Sequence, residues 1–159
     1  MPSPDNALQA GIYARLSGYA PLTAALGGQK VFDHVPAKFP PPYVRIGEDT
    51  LSEFDTKTED GWDCTITIHA WDFEKAGRKS VKSLLSLIFD ALHRQELNMT
   101  VTGFALVEIR REFHDTFQET AVEGSSDHYY HGVARYRVML EPVPDVTPVT
   151  AGGWFIGFY

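Results

Sequence analysis

The sequence has a single cysteine, Cys64. That excludes an internal disulfide and a thiolate metal cage, and it suits a chain that matures in a reducing cytoplasm. No apolar run approaches the roughly 18 residues that a membrane span needs, so no membrane partner is expected. The opening MPSPDNALQAGIYARL has neither a basic nor an apolar leader region, and no secretory signal is expected. Cations are scarce too. Fourteen Lys and Arg face 21 Asp and Glu, for a net charge of −7. A general nucleic-acid binder needs the reverse balance, because its cations must displace the counterions of the phosphates. A helical His-x-x-x-His, a P-loop, a G-x-S-x-G and a G-x-G-x-x-G are all missing.

What is present suits one globular domain: 159 residues, 43% hydrophobic and 22% charged. The acidic surplus is concentrated. From Glu48 to Asp63 there are seven acidic residues and only Lys57 against them. The plain reading is a solvated loop. The sharper one is a surface that must not adhere to a polyanion, with Glu53, Asp55, Glu59 and Asp60 as its candidates.

Hydrophobic spacing gives the element order. Residues 3–18 read as a helix with Ser3 as cap, Pro4 at its first position and a stripe of Leu8, Ile12 and Leu16. A short helical turn runs from Pro21 to Leu26, and 30–36 is a short strand candidate. A strand starts at 42–49, followed by a long polar connection over 51–61. The segment GWDCTITIHAWDF, 61–73, alternates: Cys64, Ile66, Ile68 and Ala70 point one way, Thr65, Thr67, His69 and Trp71 the other. Val81, Leu84, Leu85, Ile88 and Leu92 predict a long helix over 75–94. A weak strand is expected at 97–103. Longer ones follow at 104–117, with Ala105, Val107 and Ile109 on one face, and at 128–142, with Tyr136, Val138 and Leu140 on one face. The expected fold is α+β, a mostly antiparallel sheet with one long and one N-terminal helix packed on it. The domain spans 1–142, and an extended tail runs over 143–159, with Pro144, Pro148 and a glycine pair following Pro142.

The chemically reactive residue types do not converge. Cys64 sits with isoleucines, where a thiol is an inert small hydrophobe; His69 lies on the other face. His128 and His131 are three apart, which on a strand sends them to opposite faces, as adjacency does for His114 and Asp115. A small metal-dependent enzyme built on those four residues is the weaker alternative. The second face of the 61–73 strand, carrying Trp71 and Phe73, calls for a cover, a helix or another subunit. The tail ends in Trp154, Phe155, Ile156, Phe158 and Tyr159. It can fold back over its own sheet or, the favoured reading, cross to a neighbour.

LQAGIYARLSGYAPLTAALGGQKVFDHVP, FPPPYVRIGEDT, DTKTEDGWDCTITIHAWD, an amphipathic helix ending ALH, and HGVARYRVMLEP together resemble the tail-completion family of long-tailed phages and the tail terminators of gene transfer agents. The resemblance covers about residues 7–141. It implies a tail-terminator-like structural virion protein that forms a homo-oligomer, a sixfold ring. Such a ring caps the tail tube protein, offers a docking face to the head–tail connector at the head–tail junction, and lets DNA pass through its lumen without specific binding. No catalytic residue, metal or cofactor comes with it. A neighbouring connector or stopper ring is the alternative within that class, and a soluble adaptor without ring symmetry lies outside it.

Overall fold

A proline in the first turn and an apolar stripe at four-residue spacing make α1 (Pro4–Ser17), which buries Leu8, Ile12 and Leu16. The computed structural model describes residues 3–73, 77–120 and 128–143. Ser3 does not cap α1 with its side chain; its hydroxyl donates to the Asp5 carboxylate instead. α2 (Ala20–Leu26) stops at Gly27, whose φ of 79° is a left-handed conformation that favours glycine. The third helix, α3 (Gly77–Leu92), buries Val81, Leu84, Leu85, Ile88, Ala91 and Leu92 along one face.

Five strands form one mixed sheet: β1 (Val31–Phe32), β2 (Tyr43–Glu53), β3 (Trp62–Phe73), β4 (Phe104–Thr120) and β5 (His128–Pro142). Their spatial order is β1-β2-β3-β5-β4. β1 pairs with β2 in parallel, and the other three pairings are antiparallel. The fold is therefore α+β, with three helices among the described residues: the N-terminal and long helices expected, and α2 where a short helical turn was expected. A helix shares its buried face with one side of the sheet. Ile46, Cys64, Ile66, Ile68, Ala134, Tyr136, Val138 and Leu140 join Leu8, Ile12, Leu16, Leu84, Leu85 and Ile88 in one core.

Three segments differ from the sequence reading. The polar stretch after Gly47 continues as strand to Glu53, because a bulge between Ile46 and Asp49 lets β2 go on pairing with β3. The connection shrinks to residues 54–61. The expected strand at 97–103 is absent: Glu96–Asn98 forms a 3-10 turn. Third, β4 does not alternate uniformly, since its register shifts between Leu106 and Glu108 and again between Arg111 and Phe113. Each bulge adds one residue and turns the following side chains over. Ile109 is buried while Val107, at the first bulge, is exposed.

At the centre of the core the Tyr136 hydroxyl has no hydrogen-bond partner among the described residues. Burial pushes its ionisation far above the usual phenol range. An unpaired buried hydroxyl costs about 1–3 kcal/mol. Tyr136→Phe is therefore expected to raise the unfolding free energy by about 1 kcal/mol in a urea titration. A loss of that size would mean that the hydroxyl is satisfied.

Candidate functional site

The sheet has two faces. The helices cover the face of Cys64, Ile66 and Ile68; no described helix covers the other. On this open face β3 presents Thr65, Thr67, His69, Trp71 and Phe73, as strand alternation requires.

The bulges decide what surrounds them. In register with β5, Phe117 stands opposite His131 and Phe113 opposite Arg135, both open-face positions. Without the Arg111–Phe113 bulge, Phe117 and Glu119 would point at the helices. On β2 the Ile46–Asp49 bulge brings Glu48 to the same face. A Cβ on Gly47 would lie 2.6 Å from the His69 ring, so only glycine fits beside that imidazole.

The result is an aromatic and imidazole cluster in the middle of an otherwise open face. Trp71 stacks on His131 at 4.2 Å between ring centroids and lies 5.0 Å from Tyr43. Phe117 closes on the other side of His131 at 4.6 Å. His69 and His131 are 8% and 7% exposed, although no described helix covers them; their neighbours' rings shield them. Three hydrogen-bonding contacts thread the cluster. Glu48 Oε2 lies 2.9 Å from His69 Nε2, His69 Nδ1 lies 2.7 Å from His131 Nε2, and His131 Nδ1 lies 3.0 Å from Glu119 Oε1. Trp71 Nε1 donates to the second Glu119 oxygen at 3.1 Å. The bond from His69 holds the Glu48 carboxyl below its ordinary range. Burial pulls His131 below the usual imidazole range, and the Glu119 carboxylate opposes that shift.

Ion pairs frame the cluster. Arg137 binds Asp63 through two nitrogens at 2.9 and 2.5 Å, and Arg135 binds Glu112 at 2.8 Å. The Arg137 guanidinium lowers the Asp63 ionisation. The two ends of the acidic segment, Glu48 and Asp63, are thus engaged in the sheet. Glu53, Asp55, Glu59 and Asp60 are exposed on the β2–β3 hairpin tip. That tip is at the Trp62 end of β3, about 30 Å of strand rise from Trp71. The two candidate surfaces are separate.

Phe73 lies at the far end of the face, 43% exposed, against Tyr129. Trp154, Phe155, Ile156, Phe158 and Tyr159 lie outside the described residues. Cys64 is buried, and burial drives its thiol up to about 11, which leaves it no thiolate at neutral pH. The residues of the metal-enzyme alternative are divided. His114 stands opposite core-facing Ala134 and lines a groove of about 660 Å³ between α3 and β4, whereas His131 is on the open face. Among the described residues no group of three or more His, Cys, Asp or Glu could hold a metal ion. Sequence reading placed His69 and Trp71 on the right face but missed Glu48, Glu119, Phe117 and Tyr43 as their neighbours; nothing in the period-2 pattern signals a bulge.

The described residues form a two-layer α+β domain with one sheet face packed by its own helices and one aromatic face that no described helix covers. Comparison with known proteins gives that domain a family. The family profile described as Tail completion protein gp17 matches residues 10–141, both layers of the fold. The chain belongs to that family, and is a structural tail protein of the phage type, a virion component. It is also similar to a chain in a solved virion of a native gene transfer agent particle, at 25% identity and a TM-score of 0.68, over 87% of this chain and 99% of that one. No curated protein matches it.

Proposed function

We propose that this chain is the repeating unit of a tail-completion ring, six copies closing around a channel. The ring ends the tail tube and joins it to the head connector at the head–tail junction. The carrying observation is the family match over residues 10–141, together with the similarity to a chain of a gene transfer agent virion. A closed ring uses two different patches of each subunit, one meeting the other on the next copy. The Trp71–Phe73–Phe117 face is one such patch in this reading, and the tail over 143–159 supplies the reach to a neighbour. The acidic hairpin tip, with Glu53, Asp55, Glu59 and Asp60, faces the lumen or a ring face, where like charge keeps passing DNA from adhering. The protein has no bond-making centre in this reading; its work is done by contacts.

The test is reconstitution of the purified chain with tail tube protein, followed by mass measurement and electron microscopy. Six-membered rings on tube ends are expected. Rings that bind only the head connector would favour the stopper alternative, and a monomer at every concentration would favour the adaptor. Deleting residues 151–159 is expected to leave the far-UV spectrum and the cooperative unfolding intact and to weaken ring formation at least tenfold. Loss of the fold itself would assign the tail to covering its own sheet.

A further inference from the structure

The chain of contacts across the open face has a countable proton requirement. Glu48 is on β2, His69 on β3, His131 on β5 and Glu119 on β4, so the three contacts cross all four long strands. Each contact of 2.7–3.0 Å between two such atoms needs one hydrogen in it. Two ionised carboxylates and two neutral imidazoles bring only two hydrogens. One of the three contacts then sets two lone pairs against each other. A third proton completes the set: one ring becomes an imidazolium, flanked by a carboxylate at each end of the chain. A fourth proton is opposed, because it places two N–H groups head to head at 2.7 Å.

We propose that Glu48, His69, His131 and Glu119 form a binding site for one shared proton, and that its occupancy ties or unties the open face across its four long strands.

The groups facing this site are known from every strand. β2 contributes Glu48, Arg45 and Tyr43. Arg45 pairs with Glu48 at 3.5 Å and its guanidinium stands 5.7 Å over Trp71, so it disfavours the added charge. Glu119 from β4 favours that charge. The Trp71 ring, stacked on His131, attracts a cation. Because burial lowers the His131 range, the tied form exists at mildly acidic pH and is lost as pH rises through the first proton step. Global stability runs the other way. The unfolded chain takes up its imidazole proton more readily than buried His131 does, so unfolding becomes easier as pH falls from the ordinary imidazole range toward the folded one. Local tying and global stability therefore separate on titration.

Nitrogen-15 NMR of the imidazole side chains in the full chain, from pH 8 to pH 4.5, tests the site. The two rings are expected to gain one proton between them in a first step, with the second step more than one pH unit lower. Amide exchange at Phe117 to Glu119, corrected for intrinsic rate, is expected to slow at least threefold on the acid side of the first step. Glu119→Gln removes one flanking charge and is expected to move the first step to lower pH; His131→Gln is expected to abolish the separation. Two rings that titrate independently within half a unit of each other, or a first step unmoved in Glu119→Gln, would overturn the proposal. The wild-type titration decides it even if a variant does not fold.

Discussion

Gly132→Leu is expected to lower the unfolding free energy by about 3 kcal/mol, the upper part of the usual overpacking range. Gly132 stands on β5 opposite Ala70 of β3 and Thr116 of β4, under α3. A Cβ there would lie 2.6 Å from Val81 Cγ1 and 3.0 Å from Leu85 Cγ and Cδ1. Val81 is β-branched and holds one rotamer in a helix, so it cannot swing aside. The helix cannot lift without exposing Leu84 and Ile88, which it buries on the same sheet. Gly132 is thus a point of close approach between α3 and the sheet. Chemical denaturation measures the loss. The pair Gly132→Ala with Val81→Ala is expected to recover more stability than the two single variants predict by addition, since the clash is removed while the cavity is partly filled. Simple additivity would show that α3 is not seated on this glycine.

The second large effect concerns assembly. Phe73→Arg with Phe117→Arg is expected to weaken self-association at least a hundredfold, about 2.7 kcal/mol, while the thermal midpoint moves little. Both rings are well exposed, at 43% and 38%, and both lie on the face that no described helix covers. Exposed substitutions such as Phe73→Arg change stability by about half a kcal/mol, and losing the Phe117 ring from His131 adds about 1 kcal/mol. Two guanidinium groups without partners in an apolar contact cost far more than that. Sedimentation velocity of the double variant, with unfolding followed in parallel, separates the two effects. Unchanged ring formation would remove this face from the interface. Loss of cooperative unfolding would mean that the two rings support the fold itself.

Both predictions depend on features that differ in how far the sequence revealed them. The stripe Leu8, Ile12, Leu16 and the series Val81 to Leu92 fixed two helices, because a helix repeats its buried face every three to four residues whatever lies opposite. Residues 62–73 and 128–142 likewise announced their strands and the correct buried faces: both run without a bulge in their mutual pairing. The inert placement of Cys64 followed from the same alternation. The extension of β2 to Glu53 did not, since polar residues hide a strand that is held by its partner's backbone. Nor did the turn at Glu96–Asn98, which stands where β-favouring residues suggested a strand.

What the amino-acid order alone determined was the two-layer α+β plan, the acidic segment and the likeness to tail-completion proteins. The tertiary structure alone decided the open-face cluster. His69 and His131 meet across the bulge-free pairing of β3 with β5, and Glu48 and Glu119 join them because the Ile46–Asp49 and Arg111–Phe113 bulges each shift the side-chain phase by one residue. A bulge is a property of the pairing between two strands, so no period within one strand can record it.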